Sequence, residues 1–303
     1  MNWLLIAIIA HFLFASVFII DKFLLSKTVL NPIIYAFYIG LLEIFVLVLI
    51  PFGFIIPPLE QIIASFLAGA LFIFGLIFLY KSFRLSEVSK IAPVVGGAIP
   101  VFTLILTRLF LGERLLIHQS IAFSLLVIGG IVILWPEKHK KISELLETFL
   151  IRSLFIALLA AFLFAGSFVL TKFVFAYQPF INGFIWIRLG GFLGACLIFF
   201  WPGNRQIILD TTKAIKIKTI SLFSINKGIA GLAFILLNYA IFLGSVTLVN
   251  ALQGVQYAFL FIVTVILSKK FPQILREQIS RRIVIRKVIA ILLIGLGLGI
   301  LAF

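Results

Sequence analysis

The chain has 303 residues, 63% hydrophobic and 12% charged, with a mean hydropathy of +1.29 and a net charge of +15. A soluble domain is about half apolar and about a quarter charged, so this composition excludes a soluble globular protein, a disordered tail and a disulfide-stapled secreted module. The single cysteine, Cys196, excludes an intrachain disulfide.

A bilayer-spanning helix needs roughly 20 mostly apolar residues. Apolar runs of that length predict an all-α membrane protein with ten spans. They lie near residues 3–21, 32–51, 61–80, 91–111, 118–135, 152–173, 179–201, 219–243, 246–267 and 284–303. Pro32, Pro51, Pro136, Pro179 and Pro202 stand at span ends, where helices start or stop. No basic stretch precedes span one, which argues against a cleaved signal peptide.

Span one carries His11, with Lys22 three turns later on the same face. His11 is a candidate proton relay or a hydrogen-bonded packing residue. Span two carries Glu43, the only acid deep in a span. It is a candidate carrier of a coupling proton, or the static counter-ion of Arg188 or Lys227. Span four contains Pro93, Gly96, Gly97 and Pro100. Proline removes a backbone donor and bends a helix, so a hinge or broken helix is expected here. Span five follows, and residues 136–151 form a connector. Within it Ile142, Leu145, Leu146, Phe149 and Leu150 recur at helical spacing, as in a helix lying in the membrane interface.

Span six ends near Lys172. Span seven holds Arg188 among Gly183, Gly190, Gly191, Gly194 and Ala195. A glycine-lined wall around one guanidinium suits an anionic ligand; it equally suits close helix packing with Arg188 as a bridge. In span eight, Lys227 and Asn238 share a face with Gly231 and Phe234 between them, a polar stripe fit to line a cavity. In span nine, Asn250, Gln253 and Tyr257 fall within an arc of about 60° on a continuous helix. They read as a hydrogen-bonding wall or as polar glue between helices. Span nine lacks the prolines of span four. Between spans nine and ten, Ile274, Leu275, Ile279 and Ile283 alternate with basic residues, a second interfacial pattern suited to anionic lipid. Aromatic interleaving is missing there, so no nucleic-acid partner is expected.

An ionisable group at membrane depth is costly and by default functional. His11, Glu43, Arg188 and Lys227 lie 8 or 9 residues from the nearer span end. At 1.5 Å per residue they are about 12–14 Å deep, near the middle of a core about 30 Å thick.

The two halves repeat. AIIAHFLFASVFIIDKF (Ala7 to Phe23) aligns without gaps on ALLAAFLFAGSFVLTKF (Ala157 to Phe173), with nine of 17 positions identical. Lys22 falls on Lys172 and His11 on Ala161, so the two lysines are candidates for a matched pair at the two mouths, or for snorkelling residues at helix ends. Weaker matches follow at Leu85–Gly96 with Leu243–Gly254, and Ile121–Ile133 with Ile289–Leu301. The division is residues 1–135, a first five-helix repeat; 136–151, a connector; and 152–303, a second repeat. Five spans per half invert the second half, an architecture of transporters with the site near the midplane. Loop charge sets the orientation. Loops on one side hold 20 Lys and Arg; those on the side of the termini hold Arg108, Arg114 and Lys172 only. Both termini are therefore expected outside and the connector in the cytoplasm, in a plasma or inner membrane.

The stretch from Tyr80 to Leu134 resembles the EamA-type drug/metabolite transporter superfamily. A small-residue turn leads into span four. Pro100 stands mid-span, Leu111–Gly112–Glu113–Arg114 closes it, and Gly129 and Gly130 mark span five. The second half departs: Lys269, Lys270, Phe271 and Pro272 stand where Gly-Glu-Arg belongs. The resemblance implies a substrate/proton antiporter or facilitator with a central cavity lined by spans 1–4 and 6–9. The family is usually drawn with cytoplasmic termini; the charge count points the other way, and we follow the count.

No Walker loop, HExxH, CxxC or Gly-x-Ser-x-Gly occurs, so no catalytic residue, metal or cofactor is expected. The reading is a secondary transporter, not an enzyme. Three basic or potentially basic deep groups (His11, Arg188, Lys227) against Glu43 favour a small anionic or zwitterionic metabolite, with protons as a possible partner. The alternatives are a flippase for an anionic lipid carrier, which needs a lateral opening between helices, and a membrane-embedded lipid-modifying enzyme, which needs a clustered nucleophile and base.

Overall fold

The computed structural model describes residues 2–27, 32–85, 88–134, 144–201, 203–213, 217–268 and 281–302. Among them there are helices and no strands. In hydrocarbon every backbone N–H and C=O must be satisfied internally, and a helix does this within one segment. Ten helices are long and apolar enough to cross a membrane, and they fall on the ten runs read from the sequence.

The helices are α1 (Asn2–Lys27), α2 (Pro32–Leu42), α3 (Leu59–Leu85), α4 (Val88–Leu106), α5 (Ile117–Leu134), α6 (Glu144–Tyr177), α7 (Phe180–Phe200), α8 (Asn204–Lys213), α9 (Ile217–Leu243), α10 (Val246–Ala251), α11 (Gln253–Ser268) and α12 (Arg281–Ala302). Helix α2 tightens at Glu43 into a 3-10 helix that runs to Phe52. Span four ends in a π turn, Thr107–Leu111. Gly112 stops that turn in the left-handed region (φ +65°), a conformation that penalises any side chain. This gives the Gly of Leu-Gly-Glu-Arg a backbone reason.

Two features differ from the sequence expectation. Span four is unbroken helix through Pro93 and Pro100, and the interruption lies in span nine instead. There α10 closes at Leu252, whose N–H reaches Leu248 O at 3.1 Å, and α11 restarts at Gln253. Ser245 begins α10 by accepting the Leu248 N–H on its Oγ at 3.2 Å. The second difference is the connector. Helix α6 starts at Glu144 and runs 34 residues to Tyr177, so the amphipathic pattern after Ser143 is continuous with the helix whose membrane-spanning part begins at Ile151. Residues 135–143 and 269–280, which carry the rest of both connectors, lie outside the described residues.

Lipid supplies no hydrophobic drive between helices, so close packing depends on small residues. The tightest crossing is α3 on α7. A Cβ at Gly69 would meet Ile187 O and Gly191 N, and one at Gly190 would meet Phe66 Cα at 2.5 Å. Gly129, Gly130, Gly254 and Gly297 do the same between α5, α11 and α12. Helix α1 packs on α9 and α11, and α6 on α3 and α4. These are pairs that the repeat relates to each other. Alanines fill the seams: Ala7 and Ala10 in α1, and Ala157, Ala160, Ala161 and Ala165 in α6, are all fully buried. Large apolar side chains such as Phe45, Val48, Leu109, Phe110 and Leu292 point outward, as a lipid-facing surface requires.

Candidate functional site

Arg188 comes from the middle of α7, and Glu43 from the point where α2 becomes a 3-10 helix. Arg188 Nη1 donates to Glu43 Oε1 at 2.7 Å, and both side chains are only 8% exposed. This bears on three sequence readings together. Glu43 is the counter-ion of Arg188. The glycines around Arg188 serve packing: Gly190 and Gly194 back onto α3. They also admit the carboxylate, because a side chain at Gly191 would occupy the place of Glu43 Oε2.

The pair is incompletely satisfied. Glu43 Oε2 and Arg188 Nε are buried and have no hydrogen-bond partner. Aromatic faces replace water around the guanidinium. Its carbon lies 4.4 Å from the Phe234 ring centroid, 5.5 Å from Phe184 and 5.6 Å from Phe72. Phe234 in turn meets Phe72 (4.9 Å) and Phe14 (6.2 Å) edge to face. Helices α1, α3, α7 and α9 thus build one aromatic wall around one charge pair. Cation–π attraction strengthens as water is removed.

Lys227 of α9 packs against α2 at Tyr35. Its Nζ lies 4.7 Å from the Tyr35 ring centroid, and Tyr35 meets Tyr80 edge to face at 4.8 Å. Lys227 is half-buried, and the neighbouring Gly228 and Gly231 face open space. Asn238, at the other end of the same stripe, is buried and donates its amide to Phe234 O at 2.8 Å within its own helix. The stripe is therefore open at the Lys227 end and closed at the Asn238 end.

The remaining polar residues tie helices together. His11 places Nε2 3.2 Å from Val249 O and Nδ1 3.4 Å from Gln256 Oε1, joining α1 to both pieces of span nine. Asn250 Nδ2 donates to Thr103 Oγ1 at 3.1 Å, and Thr103 Oγ1 to Ile99 O at 2.8 Å. Thr107 and Thr247 hydroxyls meet at 3.0 Å, and the Thr247 hydroxyl reaches Glu113 Oε2 at 3.5 Å. Tyr257 is buried against Gly96, where a Cβ would collide with its hydroxyl end. Gln253 is half-buried. The break at Leu252 puts Asn250 on a different helix from Gln253 and Tyr257, yet Asn250 and Tyr257 both face α4, at Thr103 and Gly96. Lys172 Nζ donates to three carbonyls at the end of α9, Gly244 O (2.7 Å), Ile241 O (2.9 Å) and Phe242 O (3.3 Å). A cation at a helix C-terminus satisfies orphan carbonyls and complements the helix dipole. The side chains of its repeat partner Lys22 and of Pro93 lie outside the described residues. Among the described residues no group of three His, Cys, Asp or Glu stands together as a metal site.

Several contributors escaped the sequence reading. Phe72, Phe184 and Phe234 are three of 35 phenylalanines and carry no mark of their own. Asn182 and Trp186 hold the loop after span two: Ile55 N donates to Asn182 Oδ1 at 2.8 Å, and Trp186 Nε1 donates to Ile55 O at 2.9 Å. Their i, i+4 spacing on α7 was the available signal.

The sequence pattern of the EamA-like transporter family matches residues 1–135. No curated protein matches the chain. A protein of known crystal structure superposes on it with a TM-score of 0.69 at 18% identity, covering 99% of this chain and 95% of that one. At that identity the likeness shows the fold.

Proposed function

We propose that the chain, whose residues 1–135 match the EamA-like transporter family of the drug/metabolite transporter superfamily, is a multi-pass membrane transporter that moves a small anionic or zwitterionic metabolite by alternating access through a midplane site at Arg188. The observation that carries this reading is Arg188, a buried guanidinium held in an aromatic wall by one carboxylate that leaves its Nε unpartnered. An incoming carboxylate matches the fork geometry of a guanidinium. It would compete with Glu43 for Arg188, and the phenylalanines would cover its apolar body. Lys227 lies at the open end of the stripe and supplies a second positive charge on the way in. Arginine can stay charged through the cycle, so proton coupling, where present, runs through Glu43 or His11.

Counterflow in proteoliposomes tests the reading. Organic and amino acids are expected to exchange, cationic dyes are not, and Arg188→Lys is expected to reduce exchange strongly by losing the bidentate fork. Exchange of dyes in preference to acids overturns it. An arm with an imposed pH gradient reports coupling.

The same proposal places the protein in a plasma or inner membrane with both termini outside, its basic loops facing the cytoplasm and anionic lipid. A reporter fused at the C-terminus is expected to be active on the non-cytoplasmic side, and one inserted at residue 140 on the cytoplasmic side. The opposite pattern reverses the orientation and leaves the fold untouched.

A further inference from the structure

The crossing that closes one half of the molecule has a counterpart that stands open. Pro32–Phe45 aligns without gaps on Pro179–Phe192, with Pro, Ile, Phe, Leu and Phe identical at 32/179, 34/181, 37/184, 42/189 and 45/192. Ser65–Phe83 aligns on Ser224–Phe242 through Ser65/Ser224, Gly69/Gly228, Tyr80/Tyr239 and Phe83/Phe242. Under this correspondence Gly69 of α3, pressed against Ile187, Gly190 and Gly191, has Gly228 of α9 as its equivalent. Gly228 has nothing within 4 Å of where a Cβ would stand. Gly190 has Glu43 as its equivalent, and Gly191 has Ile44. Helix α3 crosses α7 closely, while α9 makes no comparable crossing with span two among the described residues.

The same crossing is thus closed once and open once, and the residues that meet there differ in charge. Where the closed copy has glycine against glycine, the open copy carries Glu43 on one helix and Lys227 beside Gly228 on the other. Two inverted repeats can exchange conformations, which closes the open crossing and opens the closed one. Closure at Gly228 brings the Lys227 side chain to the level of Glu43.

We propose that Glu43 is a two-partner carboxylate: it pairs with Arg188 in the conformation seen here and turns to Lys227 when span two closes on span eight. The exchange keeps the buried carboxylate paired in both states, so Glu43 is stranded in neither. It also frees the Arg188 guanidinium at the moment of closure, so a substrate carboxylate is held on Arg188 while Glu43 and Lys227 seal the path behind it. Lys227 is then a positioning residue that acts through Glu43. This rests on the transporter reading above and adds the partner and the step.

The test is cross-linking in the full chain with Cys196→Ser as background. Ile44→Cys and Gly228→Cys are the equivalents of the touching pair Gly191 and Gly69. Oxidation is expected to join them in a substantial fraction of folded molecules, although nothing among the described residues lies within 4 Å of a Cβ at Gly228 here. Glu43→Gln and Lys227→Met are each expected to lower the yield about tenfold, the scale for losing a charge-assisted hydrogen bond. The double variant is expected to fall no further. Lys227→Met leaves the Arg188–Glu43 pair intact, so it carries the test alone if Glu43→Gln does not fold. No cross-link, or a yield indifferent to Lys227→Met, overturns the proposal. Counterflow without cross-linking leaves the transport reading standing and removes the exchange; cross-linking without counterflow of any acid does the reverse.

Discussion

Arg188→Leu is expected to destabilise the protein by ~3–5 kcal/mol, the scale for breaking a buried ion pair by removing one member. The reason lies with the residue left behind. Glu43 would keep its carboxylate among α2, α3 and α7 with no cation to face, while Oε2 already lacks a partner. The double variant Arg188→Leu with Glu43→Gln is expected to recover most of that loss. A buried pair exchanged for uncharged groups of similar size is often neutral or better. Thermal unfolding in one detergent, comparing wild type, both single variants and the double, reads this directly. The alternative account, in which Arg188 stabilises mainly through its phenylalanine wall, has its own outcome: Arg188→Leu would then cost little, because leucine packs on rings too. Transport is expected to be lost in all three variants, so stability carries the comparison.

The second large effect is expected at Gly69. A leucine there has to displace the backbone of α7, not a side chain that can turn away, because Ile187 O and Gly191 N already fill the place of its Cβ. Overpacking a core side chain costs about 1–3 kcal/mol, and the fixed backbone puts Gly69→Leu at or beyond the top of that range. The comparison is Gly231→Ala. Gly231 is also helical, yet open space surrounds it. Alanine there is expected to leave stability unchanged or raise it by about 0.5–1 kcal/mol, the helix-interior difference between the two residues. Equal losses at both positions would mean that helix propensity and not the crossing governs.

Much of the fold was legible because membrane spans announce themselves by unbroken apolar length. Ten runs gave ten helices, and small residues marked the seams. The interruption was read in the wrong span for a local reason. Pro93 and Pro100 are strong breakers in water, but a helix packed among others keeps its path around a missing donor. Span nine breaks with no proline, in a stretch where Asn250 and Gly254 are weak helix formers and Gly254 is held against Leu126 O. The deep charges were legible singly, their partners were not. Glu43 and Arg188 are separated by 145 residues, and hydropathy could not choose between Arg188 and Lys227 as the cation it meets. Lys172 reads as one of a matched pair at the mouths, or as a snorkelling residue, because only its repeat partner Lys22 is visible in the sequence. Its three carbonyl acceptors belong to a helix end that only folding delivers.

The ten 3-10 residues that follow Glu43 also set a length. A 3-10 helix rises ~2.0 Å per residue against ~1.5 Å for an α-helix. Span two therefore reaches about 36 Å, where the same residues wound as α-helix reach about 31 Å, close to a hydrocarbon core of about 30 Å. The extra half-nanometre carries Phe54 and Ile55 out to Trp186 and Asn182, which clasp them on the far rim. Rewinding the segment would withdraw that rim by the same distance and turn it around the axis. Span two is in this sense a telescoping rod with the acid at its joint.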